Sequence, residues 1–374
     1  MPIRAPRSKT TNVDSPVDCP ASAAIGQTAI VVSVANATLR WQYRRMHSIV
    51  DEYRTVADGA VWFNRTSRGR LRLEGSDRVS FLQALVSNDV SSVAAGAGVY
   101  ATYLTPQGRM LADLRIYDRG DWLLVETTAD LAPALAQKLD SLVFSEDVRI
   151  ADITQETAQI LVVGSRAARV LEPAVDVAAA ELEALPILGH RTTEALFIVR
   201  TDDALVPAYE IVLPKDGRDA LVQRLESSGA VAGSHDLLET LRIEAARPLF
   251  GVDMNNETIP LEAGLLDRAI STTKGCYVGQ EIIIRVLHRG GGRVARRLVQ
   301  ITLDDPSDAC SEAGAEIVIN DKEVGRLTSV AYSPRVGRCI ALGYVPRAAA
   351  EPGTRVMLRF GTRALPASVT ALAG

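Results

Sequence analysis

Cysteine is scarce in this chain of 374 residues: the four present, Cys19, Cys276, Cys310 and Cys339, are widely scattered. There is no C-x-x-C pair and no Cys/His cluster at metal-ligand spacing, so the chain offers no metal cluster of its own. So few cysteines fit a reducing cytosol better than a disulfide scaffold. In a cytoplasmic protein the Asn-x-Thr sequons at Asn36, Asn64 and Asn256 mean nothing. Long apolar runs are missing too, and none approaches the roughly 18 residues of a membrane span. The N-terminus imitates a secretory leader, with Arg4, Arg7 and Lys9 ahead of an apolar stretch from Ala21 to Val34, but Asp14, Asp18 and Gln27 spoil it. An excess of positive charge is also lacking, and the formal net charge of −4 excludes a general nucleic-acid binder.

The common catalytic signatures are absent as well: no Walker loop, no H-E-x-x-H, no G-x-S-x-G. Gly96-Ala97-Gly98-Val99-Tyr100-Ala101 matches the dinucleotide-binding pattern, but no buried strand precedes it and Pro106 interrupts the helix that should follow.

What is present is ample apolar material, 47% of the residues, enough for more than one core at this length. Residues 1–45 show no periodic pattern ahead of Met46 and are expected to be a disordered extension. From Trp62 strand and helix patterns alternate irregularly. A half-buried strand spans Gly69 to Gly75, and helices are expected at Arg78 to Leu85, Ala129 to Leu142, Arg218 to Ser227 and, behind a Ser234 cap, His235 to Ala246. This pattern predicts an α+β fold with mixed antiparallel sheets, not a doubly wound parallel sheet. Gly279 to Leu287 reads both ways, its three isoleucines favouring a strand and its ends carrying helix-terminal chemistry. Beyond Gly292 short strands and turns predict a small terminal β-barrel, dividing the chain into 46–292 and 293–374.

The most informative segment is Lys274-Gly275-Cys276-Tyr277-Val278-Gly279-Gln280-Glu281. Its glycines permit tight bends, so Cys276 is expected to be presented rather than buried. Lys274, two residues away, is the cation expected to favour the thiolate. Glu210 and Asp113 each sit in apolar, strand-like surroundings, where a carboxylate must be paired or hydrogen-bonded. An ion pair between Glu210 and Arg242 is one way to satisfy that need. Arg285, His288, Arg289, Arg293, Arg296 and Arg297 form a local basic patch suited to a polyanion such as phosphate, RNA or a polyglutamate chain, or simply to solvent.

With these residues in place, Lys274 to Glu281 resembles the K-G-C-[FY]-x-G-Q-E motif of the YgfZ-type folate-binding proteins, relatives of the glycine-cleavage T-protein that are implicated in maintaining iron–sulfur enzymes. Supporting matches run from about residue 55 to 345, among them Gln107-Gly108-Arg109, Tyr209-Glu210-Ile211, Leu241-Arg242-Ile243-Glu244-Ala245 and Thr258-Ile259-Pro260-Leu261-Glu262. The resemblance implies a three-lobed cloverleaf around a central channel that binds tetrahydrofolate, polyglutamylated or not. It implies Glu210 as the pterin anchor, Arg242 near that carboxylate or the folate, and Asp113 at a position that belongs to an Asp-Asp pair in T-proteins, although Ala112 precedes it here. Cys276 is then the functional thiol, and iron–sulfur client or assembly proteins are the expected partners. The chain lacks the T-protein G-Y-T-G-E-D-G run before Glu210, offering Asp202-Asp203-Ala204-Leu205 instead. Aminomethyltransferase activity, or another folate-dependent one-carbon transfer, is accordingly the alternative, and a folate-independent thiol-redox enzyme a further one.

Overall fold

Alternation along the strands decides what this fold buries and what it leaves between its layers. The computed structural model describes residues 49–288, 291–306, 310 and 313–372; the extension expected over 1–45 lies outside them. One sheet has six strands in the spatial order Val231–Ala232, Val61–Asn64, Thr157–Val163, Ala208–Pro214, Phe197–Thr201 and His190–Thr192. Its first two strands pair in parallel, and the other pairings among the described residues are antiparallel. A second sheet orders Gly98–Leu104, Met110–Asp118, Trp122–Thr128, Arg68–Glu74 and Arg149–Asp152, all antiparallel. The third group is a closed barrel in the order Arg296–Leu303, Arg338–Pro346, Lys322–Ser333, Glu316–Ile319, Arg355–Phe360 and Arg363–Leu372. The α+β reading and the terminal barrel therefore hold, and the Gly-rich decoy at Gly96 leads into an antiparallel strand with no phosphate-binding helix behind it.

Each sheet has one apolar face covered by helices. In the six-stranded sheet Ile160, Val162, Tyr209 and Ile211 pack with Leu171 of Ala167–Val175 and Leu221 of Arg218–Ser227. In the second sheet Leu71, Leu114, Ile116 and Val125 pack with Leu82 of Arg78–Leu85 and Leu135 of Ala132–Asp140. The remaining faces look at each other, joined at one end by Tyr117 and Leu124 against Phe197, Val199 and Val212. Because side chains alternate, Arg68, Arg70, Asp113, Arg115, Glu126, Gln159 and Glu210 all belong to these facing surfaces.

The ambiguous isoleucine run is a helix, Gln280–His288, with Ile283 buried and Arg285 paired to Glu281 one turn back. Of the two motif glycines, Gly279 has φ 83°, and a Cβ there would lie 2.5 Å from the Thr105 carbonyl oxygen. Gly275 has open space around it. Helix His235–Glu244 starts at Ser234, whose hydroxyl accepts from the Leu237 N–H, and its Ile243 packs on barrel residues Leu298, Ile340 and Leu342.

One expectation fails in the barrel. Cys310 and Cys339 form a disulfide, tying the segment ahead of Glu316–Ile319 to the strand Arg338–Pro346. Scattered spacing in the sequence gave no hint of this pair, because the barrel brings together positions 29 residues apart. Among the described residues no helix is long and apolar enough to cross a membrane.

Candidate functional site

Between the facing sheets and helix His235–Glu244 lies a cavity of about 260 Å³. Its walls carry six arginines, Arg65, Arg68, Arg115, Arg242, Arg247 and Arg268, with the carboxylates Asp113, Asp203 and Glu239. A larger groove of about 740 Å³ opens on the helix-covered side of the six-stranded sheet near Pro173 and Leu213, but none of the buried charged cluster reaches it.

At one wall the charges close a ring. Arg115 Nη2 donates to Asp203 Oδ1 in a short contact, while its Nη1 lies 3.4 Å from Glu210 Oε2. Arg65 repeats the arrangement, 3.5 Å from Asp203 Oδ2 and 3.4 Å from Glu210 Oε1. Burial alone would raise the Asp203 pKa, but Arg115, Arg65 and Arg68 hold it well below the usual carboxylate range. Asp203 lines the cavity. Glu210, 1% exposed, lies one layer behind it, so its cationic neighbours are Arg65 and Arg115 and not Arg242.

Behind Glu210 the network continues. Gln159 Nε2 donates to Glu210 Oε2 at 2.5 Å and to Glu126 Oε1 at 3.2 Å, and its Oε1 accepts from Arg70 Nη1 at 3.0 Å. Arg70, fully buried, also donates to Thr157 Oγ1 and to the carbonyls of Thr66, Thr154 and Thr157. Those bonds fix the amide so that its NH2 faces both carboxylates. Glu126 is the cross-strand neighbour of both Arg70 and Arg115. Burial and the Glu210 charge push Glu126 up to about 7, although Arg68, Arg115 and Arg70 pull the other way. Glu126 Oε2 and Glu210 Oε1 are buried without a hydrogen-bond partner.

Asp113 lines the cavity, with Oδ2 accepting from Tyr100 at 3.0 Å and Oδ1 buried without a hydrogen-bond partner. Burial, then the Asp113 charge, pushes Tyr100 well above the usual phenol range, so its hydroxyl stays a donor. Arg242 reaches the cavity too, but its guanidinium donates to Glu239 and Asp253 at 2.6 Å, to the Arg247 carbonyl at 2.8 Å and to Ser329 Oγ of the barrel at 2.9 Å.

The thiol motif lies elsewhere. Cys276 is exposed and free, on the loop leading into Gln280–His288. Lys274, expected as its cation, is buried and directed away: Nζ donates to the carbonyls of Gln83, Val86 and Asn88 at 2.6, 2.7 and 3.0 Å. Three bonds complete the donor set of an ammonium, which makes Lys274 a clamp for this loop. Tyr277 is buried beside the Lys274 Nζ, 5.2 Å from its ring centre. Of the basic patch, Arg285 pairs with Glu281 and Arg296 with Glu262, and Arg289 lies outside the described residues.

Thus the fold brings Asp113, Glu210 and Arg242 to one region and leaves Cys276 and Lys274 on another. Arg65, Arg68, Arg115, Glu126 and Gln159 were not singled out in the sequence, and Asp203 was named only within the segment that replaces the T-protein run. For Arg115, Glu126 and Gln159 the signal was a polar side chain at an inward strand position of a largely apolar run, as in Leu123-Leu124-Val125-Glu126, whereas Arg65 and Asp203 lie in loops.

Comparison with known proteins adds a family. The family described as the GCVT N-terminal domain matches residues 22–274, and the glycine cleavage T-protein C-terminal barrel domain matches residues 296–373. An aminomethyltransferase of Synechococcus elongatus is 30% identical over 338 residues, 87% of each chain. One from Prochlorococcus marinus is 29% identical, covering 86% of this chain and 88% of its own. Among solved structures, glycine cleavage system aminomethyltransferase T from Bartonella henselae shares the fold, with a TM-score of 0.78 at 22% identity over 86% of this chain and 88% of its own.

Proposed function

We propose, from the premise that this chain belongs to the glycine cleavage T-protein family, that its inter-sheet cavity binds tetrahydrofolate. The observation that carries the reading is a pair of buried carboxylate oxygens without hydrogen-bond partners at an arginine-lined cavity: Asp113 Oδ1 at the wall and Glu210 Oε1 one layer behind. Buried polar atoms left open in this way are rare and suit a ligand. A pterin presents an amino group and ring N–H donors to such oxygens, and the glutamyl end of a folate presents carboxylates to arginines. Arg65 and Arg115, at 3.4 Å, lie beyond ordinary hydrogen-bond length from Glu210, so its Oε1 stays available to an entering N–H while Oε2 accepts from Gln159.

Bound tetrahydrofolate supplies amine nitrogens that carry a one-carbon unit. The chain supplies position and proton control: Glu210, oriented by Gln159, holds the pterin, and Asp113 Oδ1, with Tyr100 fixing the other oxygen, is placed to accept a proton at the reacting edge. The names of the relatives support aminomethyl transfer as the use of this folate. A second reading rests on Cys276, whose exposure within the K-G-C-Y-V-G-Q-E segment favours the YgfZ-type role, a cytoplasmic folate protein whose thiol supports iron–sulfur enzymes.

Calorimetric titration of the purified chain with mono- and polyglutamylated tetrahydrofolate tests the shared core of both readings, and absence of binding rejects it. Aminomethyl transfer from a lipoyl-bound donor separates them. Turnover that survives Cys276→Ser supports the transferase. Binding without turnover, together with loss of iron–sulfur enzyme activity in cells carrying Cys276→Ser, supports the second.

A further inference from the structure

Where Leu124, Phe197 and Val212 join the facing sheets, a second cavity of about 330 Å³ opens, and it shares no lining residue with the arginine-lined one. Those three side chains are buried, so its floor is apolar. Arg119 also lines it, from the turn between strands Met110–Asp118 and Trp122–Thr128. The turn is fixed: the Arg119 N–H donates to the Trp122 carbonyl and the Gly120 N–H to Asp118 Oδ1, each at 2.9 Å. The Arg119 guanidinium carbon lies 4.9 Å from the ring centre of Trp122 and 4.4 Å from that of Phe197, so two aromatic rings hold one cation.

Stacking occupies the faces of a guanidinium and leaves its N–H edge for a partner in the plane. Here that edge has none. Arg119 makes no ion pair and no side-chain hydrogen bond among the described residues, and its Nε is buried. Burial, then the charge of Arg72, lowers its pKa, where a carboxylate close by would raise it. Arg72 stacks on Trp122 as well, at 4.7 Å, but Glu74 takes up its guanidinium at 2.5 and 2.8 Å. Two exposed carboxylates complete the lining, Glu156 and Glu194, and neither pairs with a cation among the described residues. They would repel a simple anion approaching Arg119, so the wall as a whole suits a ligand that carries both signs. The volume, near the lower end for ligand cavities, limits that ligand to one small molecule.

We propose that this cavity binds the zwitterion of an apolar α-amino acid, its carboxylate on the Arg119 fork, its ammonium toward Glu156 and Glu194, and its side chain on the apolar floor. The site is independent of the folate reading and stands or falls without it.

The test is calorimetric titration of the full chain with L-leucine and L-phenylalanine, beside isocaproate, which has the carbon skeleton of leucine and no ammonium. L-leucine should bind about tenfold tighter than isocaproate or better. Glu156→Gln with Glu194→Gln, both at exposed positions, should weaken L-leucine and tighten isocaproate, each by about threefold or more. Arg119→Lys keeps the charge and loses the fork, and should weaken L-leucine by about tenfold; if that variant fails to fold, the rim pair carries the test. L-leucine should also change the tryptophan fluorescence of the parent, and Trp122→Phe should abolish the change while calorimetric binding persists. Absence of binding by either amino acid up to about 10 mM overturns the proposal. So does isocaproate binding that equals L-leucine and ignores the rim variants, or a fluorescence change that survives Trp122→Phe.

Discussion

The ammonium of Lys274 lies 2.7 Å from the carbonyl oxygen of Val86, the residue that ends helix Arg78–Leu85, and so holds the thiol loop to the turn beneath the second sheet. The same turn reaches the cavity: Asn88, whose carbonyl also accepts from Lys274, donates through its amide to the carbonyls of Tyr100 and Arg268. The loop that presents Cys276 is therefore anchored on residues that also shape the candidate folate site.

Lys274→Met leaves three carbonyls without their donor and should cost about 2–3 kcal/mol in denaturant unfolding. The effect depends on pH with a definite sign. Burial lowers Lys274 to about 8, so between there and the ordinary value of 10.5 the unfolded chain holds a proton that the folded chain has released. Stability from this group then rises with pH across that window, and the gap between parent and Lys274→Met should widen from pH 8 to 10. A gap that narrows would show that the clamp is not desolvated.

Glu126 provides the opposite test. Its folded pKa of about 7 exceeds the unfolded 4.5, so the stability linked to its protonation is fully present below about 4.5 and is lost as pH rises through 7. Glu126→Gln, nearly the same shape and without the charge, should therefore be the more stable protein at pH 8, by about 2–3 kcal/mol, and nearly equal to the parent at pH 4.5. Thermal melts at the two pH values decide it.

Glu210→Ala should weaken tetrahydrofolate binding by about 2 kcal/mol, the loss of a charge-assisted hydrogen-bond pair. Asp113→Asn keeps the shape and one acceptor, and is expected to reduce turnover more than affinity if its proton matters to chemistry. Equal loss of affinity in both variants would make Asp113 a binding residue only.

Among the cysteines of the described residues, iodoacetamide without reductant should label Cys276 and spare Cys310 and Cys339, as peptide mass analysis would show. Replacing Cys310 and Cys339 with alanine should lower stability by about 3 kcal/mol, the loop-closure contribution of a cross-link across 29 residues. Labelling of Cys339 in the untreated protein would contradict the disulfide.

How far the sequence revealed this molecule depends on whether a residue's meaning is local. Helices Arg78–Leu85 and Arg218–Ser227 were legible to the residue because their apolar spacing lies within the segment, although neither carries a side-chain cap, and the barrel was legible from strand-length runs between turns. Glu210 drew notice as a carboxylate in an apolar strand. Its partners did not, because Arg65, Arg115 and Gln159 come from other strands and loops, and only the facing of two sheets makes them one network. Lys274 misled for the same reason: two residues from Cys276 in sequence, its side chain bonds to a turn nearly two hundred residues earlier. The disulfide likewise joins a loop residue, Cys310, to a strand residue, Cys339, that no spacing rule pairs.

Among the described residues the barrel contributes none to the cavity wall, yet it governs that wall. Arg242 is held by Ser329, and Asp253, which binds Arg242, is itself bound by Ser329 and Thr328. On the same helix the buried Glu244 accepts from Ser333 of the barrel and, at 2.7 Å, from Tyr53 near the start of the described chain. Residues 46–292 produced alone would accordingly keep every cavity residue and lose the brace that aims them: a pocket complete in composition and wrong in width, whose ligand affinity returns only when the last eighty residues are restored in the same chain.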